Sequence, residues 1–233
     1  MRRTTTTTTI ISALLLMFTA LAACSSDNKK ANESSYLQSM EKEEPHGISQ
    51  DAYITNNGEL GVSLLGHASI VFKYKGKVIH VDPYSKVADY STQPKADLIL
   101  LTHEHNGDVI SFDSISIEAV PAYNIEHKTP EGAFYHPKGR GNGYVLTFGD
   151  KKVYVAGDTE NIPEMTKLSD IYIAFLPKNL PYTMTDDMFV DAAKKVKPIY
   201  LYPYHFADFN DKDMEKALEG TNIKILVRPM SSK

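Results

Sequence analysis

The amino-acid sequence predicts an α/β fold (α+β by some schemes) in which strands dominate and the helices pack on the outside. Short strand-like runs separated by turn dipeptides fill most of the chain. Two runs, Asp97–Leu101 and Ile171–Leu176, are continuously apolar, which is typical of strands buried on both faces. The helical patterns come late in the chain. Two strand-rich halves of this kind would fit a sandwich.

The strands of the first half are separated by clear turn signals. Gly61–Tyr74 alternates as a strand does, and Lys75-Gly76 is a turn before its hairpin partner. The next predicted strands are Lys77–Val81, Asp97–Leu101 and Val109–Val120.

In the second half, Gly149-Asp150 is the turn of another hairpin. The predicted strands there are Gly143–Phe148, Lys152–Val155, Ile171–Leu176, Ile199–Tyr202 and Ile223–Val227. A helix is predicted over Thr185–Val196, with Thr185 as its N-cap, because its apolar residues share one face. A second helix, Lys212–Glu219, is closed by Gly220.

The N-terminus indicates export. Residues 1–23 form a signal peptide with a basic start and a short apolar stretch, Ile10–Ala23. Leu21-Ala22-Ala23-Cys24 resembles a bacterial lipobox, in which Cys24 becomes the lipid-modified first residue. The alternatives are a transmembrane anchor and an uncleaved signal. Residues 24–50 are polar and would form a flexible tether, leaving residues 51–233 as one domain. We therefore expect a cell-envelope lipoprotein that faces outside the cytoplasm.

Charge and cysteine content exclude several classes of function. Without Arg2 and Arg3 the mature chain has 23 basic and 29 acidic residues, a net charge of −6, which argues against nucleic acid as a partner. Cys24 is the only cysteine, so the domain has no disulfide, no thiolate metal site and no cysteine nucleophile. Any metal chemistry must use histidine and carboxylate.

Polar side chains follow several of the predicted strands. His103 and His105 are two residues apart after a buried strand, so in an extended chain they point the same way. Asp158 and His205 also follow strand-like runs, and His136 lies in a Gly-rich loop before a strand. Each residue alone has an ordinary structural explanation. Together, along one edge, they would form a metal pocket suited to zinc, or to iron or manganese, with an open position for water.

Six motifs occur in a specific order. They are Gly66-His67-Ala68-Ser69, Val81-Asp82-Pro83, Leu101-Thr102-His103-Glu104-His105, His136-Pro137-Lys138-Gly139-Arg140-Gly141, Ala156-Gly157-Asp158-Thr159 and Pro203-Tyr204-His205. This series resembles the metallo-β-lactamase superfamily, and more narrowly its phospholipase D-like and ascorbate-phosphate-lactonase-like branch. The resemblance covers about residues 51–228 and implies a four-layer αββα sandwich. By the same resemblance, His103, His105 and His136 bind a first metal, Asp158 bridges two metals, and His205 belongs to the second.

Other polar residues are expected at the same edge. Lys138 and Arg140 flank His136 and would hold a phosphate or carboxylate, or else belong to a solvated hairpin loop. Asp82 is expected to orient a ligand histidine or to fix its loop. Weaker candidates are Tyr123, Asn124, Tyr182 and Thr183. His67 is expected to support a ligand or the local structure and not to be a ligand itself. Structural or surface roles are expected for His46, His80 and His127.

The sequence departs from the family after the histidine pair. The family motif continues into an Asp-His pair that completes the second metal site, whereas here Asn106-Gly107-Asp108-Val109 follows His105. A one-residue slip would make Asp108 the missing Asp. A deletion of a helix, a strand and the Asp-His pair is favoured, because the domain is short and no helical pattern lies between His105 and Val120. An error in the sequence is a third explanation.

The deletion has physical consequences. Three histidines and Asp158 would still hold one zinc, whereas Asp158 and His205 alone are a poor second site. One zinc lowers the pKa of its water and polarises an ester or phosphoryl oxygen. Loss of the Asp should slow the reaction. Loss of a helix should leave part of a sheet face uncovered.

The sequence therefore predicts a membrane-tethered, zinc-dependent hydrolase that attacks an ester-type bond with metal-bound hydroxide. Asp158 and His205 are the predicted catalytic residues. The expected substrate is a phosphodiester, a phospholipid or a lactone. The alternative is a catalytically impaired surface lipoprotein of the same fold that binds a metal or a ligand.

Overall fold

The structure is a computed structural model and describes residues 49–103 and 109–229. The predicted signal peptide, Cys24 and nearly all of the predicted tether lie outside these residues, as do His46 and His105. Within the described part of the chain, no helix is long and apolar enough to cross a bilayer. The first strand begins at Ser49, two residues before the predicted start of the domain.

The first half forms a five-stranded sheet whose strands lie side by side in chain order. Its strands are β1 Ser49–Thr55, β2 Gly58–Gly66, β3 Ser69–Tyr74, β4 Lys77–Val81 and β5 Leu98–Leu100. The first four pair antiparallel, and β5 is parallel to β4. The single strand predicted over Gly61–Tyr74 is wrong. The chain turns back at Gly66 and His67, whose φ angles of 117° and 52° end β2 before β3 begins.

The second half forms a seven-stranded sheet in the order β12-β11-β10-β9-β8-β7-β6. Its strands are β6 Val109–Phe112, β7 Ile115–Ala122, β8 Gly141–Phe148, β9 Lys151–Val155, β10 Ile171–Pro177, β11 Tyr200–Tyr204 and β12 Lys224–Ile225. Neighbours from β6 to β9 are antiparallel, and neighbours from β9 to β12 are parallel. The predicted run Val109–Val120 is divided between β6 and β7, because Asp113 has a φ of +53° and makes a turn.

Three helical segments accompany the second sheet. They are a short 3-10 helix Pro163–Lys167, α1 Asp186–Val196 and α2 Asp211–Ala217. The Thr185 side chain accepts a hydrogen bond from the Met188 N–H, which confirms the predicted N-cap of α1. Such a cap contributes about 1 kcal/mol. The apolar face of α1, with Phe189 at its centre, belongs to the hydrophobic cluster formed with β8 to β11.

Aromatic side chains join the two sheets face to face. Phe72 of the first sheet lies 5.5 Å from Phe148 and 6.1 Å from Phe175 of the second, measured between ring centroids. Phe72 is fully buried, so truncating it to Ala should cost about 3–5 kcal/mol. Two packed sheets with helices outside confirm the predicted α/β sandwich.

The outer face of the first sheet is covered differently from that of the second. Its small cluster around Leu65 and Val71 is closed by Ala88 and Tyr90, which lie in a loop. At β5, Leu100 is buried, but Ile99 and Leu101 are 55% and 45% exposed. The prediction that this strand is buried on both faces is therefore wrong. β5 is the edge strand, and the favoured deletion would have removed the structure that covers its outer face.

Candidate metal centre

Strand ends from both sheets meet at one edge of the sandwich. Residue His103 follows β5 of the first sheet, and an isolated bridge pairs it with Gly141 at the start of β8 in the second. The Asn142 N–H also donates to the Thr102 carbonyl over 2.8 Å. These contacts hold the end of β5 against the loop that carries His136. The end of β5 in the first sheet is thereby fixed beside the candidate metal ligands that the second sheet carries.

Asp158 is the centre of the site. Its Oδ2 lies 3.0 Å from His103 Nε2 and 3.4 Å from His136 Nε2, while its Oδ1 lies 2.6 Å from His205 Nδ1. The ligand atoms of His103, His136 and Asp158 all lie within 4.8 Å of one another, close enough to hold one metal ion. The structure thus brings together four of the five predicted ligands. The fifth, His105, lies outside the described residues.

The local backbone explains why Asp158 points into this edge. It follows β9 through Gly157, whose φ is +71°. A Cβ on Gly157 would lie 2.8 Å from the Asn142 carbonyl oxygen, so only glycine fits. The Gly157 N–H donates to the buried Tyr204 hydroxyl over 2.9 Å, which fixes the turn from behind.

Asp158 is strongly biased toward its charged form. Burial by itself would raise its pKa, but the hydrogen bonds from His103, His136 and His205 outweigh burial. They hold the pKa of Asp158 well below the ordinary value of a carboxyl group. The site therefore offers a permanent anion as a metal ligand.

Asp82 supports His103 through Thr102, as predicted for a residue that orients a ligand histidine. Asp82 accepts from the Thr102 N–H and from the Thr102 hydroxyl, both over 2.8 Å. With its proton given to Asp82, the hydroxyl oxygen can only accept at its 3.2 Å contact with His103 Nδ1. A ring proton of His103 therefore lies on Nδ1, which leaves Nε2 as the nitrogen that can bind a metal.

His136 is held in the same tautomer by a different residue. Asn124 Oδ1 lies 2.8 Å from His136 Nδ1 and accepts the backbone N–H of His136 over 2.7 Å. Both rings therefore turn Nε2 toward Asp158 Oδ2. Two imidazole nitrogens and one carboxylate oxygen are a donor set that fits a divalent ion such as zinc.

The other oxygen of Asp158 meets a sparser environment. His205 follows β11 with a φ of +50°, and its N–H donates to the His67 carbonyl over 2.9 Å. The rings of His205 and His67 lie 4.0 Å apart between centroids. Burial lowers the pKa of His67 below its ordinary value. The backbone contact fixes the direction of His205 toward Asp158.

The two basic residues predicted to bind substrate occupy different positions. Arg140 lines the opening above Asp158, whereas Lys138 pairs with Glu164 over 2.7 Å and lies 4.5 Å above the Tyr123 ring. The opening is lined by Thr102, His103, Tyr135, His136, Pro137, Arg140, Gly141 and Asp158. Arg140 is thus the basic residue that lines the pocket, whereas Lys138 lies outside the lining and is paired with Glu164.

The remaining candidates have structural contacts. Thr183 is buried and hydrogen-bonded to Asn179, and Tyr182 is exposed. His80 is buried with Nε2 3.1 Å from the Pro94 carbonyl oxygen. Glu160 is a fully buried carboxylate behind His136. It was not predicted as a site residue, because nothing in the local sequence pattern distinguishes it from a surface glutamate.

Known proteins resemble this chain in sequence and in fold. A family model described as a β-lactamase superfamily domain matches residues 61–109. A metal-dependent hydrolase from Nanoarchaeum equitans is 27% identical, over 68% of this chain and 94% of its own. A crystal structure from Parabacteroides distasonis, of a protein named as a metal-dependent hydrolase, is 39% identical, with a TM-score of 0.72 over 78% of this chain and 98% of that chain.

A more distant structure shares the fold. It is a Thermotoga maritima protein named as a Zn-dependent hydrolase of the metallo-β-lactamase superfamily, 16% identical, with a TM-score of 0.54 over 71% of this chain and 96% of that chain. The sandwich and its histidine–carboxylate edge together define a metal-dependent hydrolase. The chain belongs to the metallo-β-lactamase superfamily.

The match with the N. equitans hydrolase also bears on the short domain. It extends over 211 aligned positions but includes only 68% of the 233 residues of this chain, about 158. The relative therefore has residues within the matched region that have no counterpart here. The family-model match ends at residue 109, just after the point where the motif breaks off. Both observations favour a deletion over a one-residue slip at Asp108, which itself lies outside the described residues.

Proposed function

We propose that the protein is a zinc-dependent hydrolase of ester-type bonds, held at the membrane surface by a lipid on Cys24. The observation that carries the proposal is the convergence of His103 Nε2 and His136 Nε2 on one buried oxygen of Asp158. An open pocket lies beside them, with Arg140 in its wall. His105 is proposed as the third histidine.

The residues of the site divide the work. A divalent ion bound there would supply a Lewis acid that polarises the scissile group and lowers the pKa of water. Asp158 contributes the fixed negative charge, and Thr102 and Asn124 keep the two ring protons on Nδ1. His205 Nδ1 donates to Asp158 Oδ1, which leaves the other ring nitrogen, Nε2, as the candidate acid for the leaving group.

The proposed substrate is a phosphodiester, a phospholipid or a lactone. A guanidinium group binds phosphate and carboxylate oxygens in a bidentate manner, so Arg140 favours a substrate with an anionic group near the reacting bond. The net negative charge of the chain disfavours nucleic acid as the source of that group.

Metal content and hydrolysis test the core of this proposal. We expect about one equivalent of zinc in the purified full-length protein, and hydrolysis of a generic phosphodiester or lactone ester. His103→Ala and His136→Ala should lose both. His80→Gln is a matched control, because His80 is a buried histidine outside the metal group. Less than half an equivalent of any divalent metal, unchanged in the two alanine variants, would overturn the proposal. Bound iron or manganese would correct the identity of the ion.

Lipid attachment is tested separately. Incorporation of labelled fatty acid should be lost in Cys24→Ser, and that variant should leave the membrane fraction. A Cys24→Ser protein that stays in the membrane fraction would overturn the tether.

A second candidate is an impaired relative that binds a metal or ligand without turnover. It is favoured by the absence of the Asp-His pair from the sequence after His105. A stoichiometric metal with no hydrolysis of any ester in the screen would support this candidate over the enzyme.

A further inference from the structure

Glu160 is a buried carboxylate with an unusually complete set of donors. It has no exposed surface, and its Oε1 accepts from Asn124 Nδ2, from the His127 N–H and from His127 Nδ1. Its Oε2 accepts from the N–H groups of Ile125 and Glu126. Three of these partners are backbone N–H groups, which can only donate, and they reach both oxygens of Glu160. Both oxygens of the carboxylate therefore act as acceptors.

This carboxylate determines how the Asn124 amide is oriented. The Nδ2 group of Asn124 contacts Glu160 Oε1 at 2.8 Å and the Tyr182 carbonyl oxygen at 2.9 Å, and both partners can only accept. The two Nδ2 protons are thus committed. Asn124 Oδ1 must face the other way, toward the backbone N–H and the Nδ1 of His136. If the amide were flipped, its NH₂ group would face the backbone N–H of His136, and its oxygen would face the Glu160 carboxylate.

The orientation of the amide in turn determines the tautomer of His136. An amide oxygen cannot donate, so Nδ1 of His136 must carry the ring proton. Nε2, which faces Asp158, is then the ring nitrogen that can give up its proton and bind a metal. Only this orientation of the Asn124 amide satisfies its contacts with Glu160, with the Tyr182 carbonyl and with His136 Nδ1.

We infer that Glu160 and Asn124 are positioning residues for the metal, which fix the tautomer and direction of His136 by a chain of obligate hydrogen bonds. The inference rests on the proposed metal site but not on any hydrolytic activity. Neither residue touches the pocket, because Glu160 is wholly buried and Asn124 nearly so. Partners of this kind typically change metal affinity by about 10–100-fold when they are removed.

The first test is metal affinity in Asn124→Ala. Zn²⁺ and Co²⁺ dissociation constants of the full-length protein are measured by competition with a chromophoric chelator. We expect affinity to fall about 10–100-fold, with the fold retained by circular dichroism. Asp51→Asn is the matched control, because Asp51 is a buried, hydrogen-bonded carboxylate bound to Arg228 and Tyr202. It should lower the melting temperature without changing metal affinity.

A pair of variants keeps the inference testable if Asn124→Ala does not fold. Asn124→Asp places a second carboxylate against Glu160 and should weaken metal binding strongly. Adding Glu160→Gln replaces this repulsion with an amide–carboxylate contact, at the cost of placing its NH₂ group against the His127 N–H. The carboxylate at position 124 still accepts from His136 Nδ1. The double variant should therefore recover part of the affinity lost in Asn124→Asp alone. Independent, additive losses in the two single variants would contradict the chain.

The tautomer can also be observed directly. The ¹⁵N shifts of the His136 ring in the zinc-loaded wild-type protein should show a protonated Nδ1 and a metal-bound Nε2. This pattern should be lost in Asn124→Ala. An unprotonated Nδ1 in the zinc-loaded wild type, or unchanged metal affinity in folded Asn124→Ala, would overturn the inference whether or not the protein hydrolyses any ester. A wild type that binds no metal would instead overturn the proposed function.

Discussion

The two oxygens of Asp158 face unequal halves of the site. Oδ2 faces His103 and His136, and each of these rings has its outer nitrogen held by a second side chain, Thr102 or Asn124. Oδ1 faces His205, whose ring packs against His67. One half therefore consists of two proposed ligands supported by other side chains, whereas the other half consists of one proposed ligand oriented by its backbone.

This difference indicates which half of the site would remain after loss of the segment that follows His105. The supports of the Oδ2 half are Asp82 after β4, Thr102 after β5, Asn124 after β7 and Glu160 after β9. None of them lies in the stretch after His105, where the family motif breaks off. The Asp-His pair absent from that stretch belongs to the second metal site in the family. The first half could thus remain intact while the second became incomplete.

The largest expected effect comes from removing the shared carboxylate. Asp158→Asn should weaken zinc binding by more than about 100-fold, beyond the loss expected for an outer partner, because the anionic ligand shared by both halves disappears. Competition with a chelator measures this. Affinity within a few-fold of the wild type would show that Asp158 is not a ligand.

The two halves are compared next by single histidine variants. His136→Ala should reduce bound zinc to below half an equivalent, whereas His205→Ala should retain close to one equivalent but lose hydrolysis. Metal analysis and ester hydrolysis are measured on the same samples. If His205→Ala loses its zinc and His136→Ala keeps it, the Oδ1 half and not the Oδ2 half is the main metal site.

The support of His103 is tested by Thr102→Val, which keeps the shape of the side chain and removes the hydroxyl. We expect about a tenfold loss of zinc affinity, because His103 Nδ1 loses its acceptor and Asp82 loses a donor. Thr183→Val is the control, since Thr183 is a buried threonine that bonds to Asn179. Equal effects of the two variants on affinity would remove the special role of Thr102.

The smallest effects are expected from the two basic residues beside His136. Arg140→Ala should raise KM for an anionic ester several-fold, because Arg140 lines the pocket. Lys138→Ala should change KM less, since this exposed lysine is engaged by Glu164, and an exposed ion pair contributes only about 0–1 kcal/mol. Steady-state kinetics of both variants decide the order, and a larger effect of Lys138→Ala would reverse it.

The sequence was sufficient to predict the site residues that follow strands, but not the buried residue behind them. His103, Asp158 and His205 could be predicted because each follows a strand, and strand ends are visible in the apolar pattern. Glu160 could not, because its partners lie more than 30 residues away in the chain and its burial depends on how the loop after β7 folds over it. The turn at Gly66 and His67 was missed because alternation continues through it, and the exposure of Ile99 because an apolar run does not reveal which faces are covered.

The proposed metal ligands come from both sheets, which are already joined by the backbone bridge between His103 and Gly141. One proposed ligand follows a strand of the first sheet, and the other two follow or precede strands of the second. An ion held by all three would act as a cross-link between the sheets and would bind only when they are docked. By mass action, zinc at 100 times its dissociation constant would stabilise the folded chain by about 2.7 kcal/mol. The supply of metal would then determine how much of the protein is folded, as well as whether it can react.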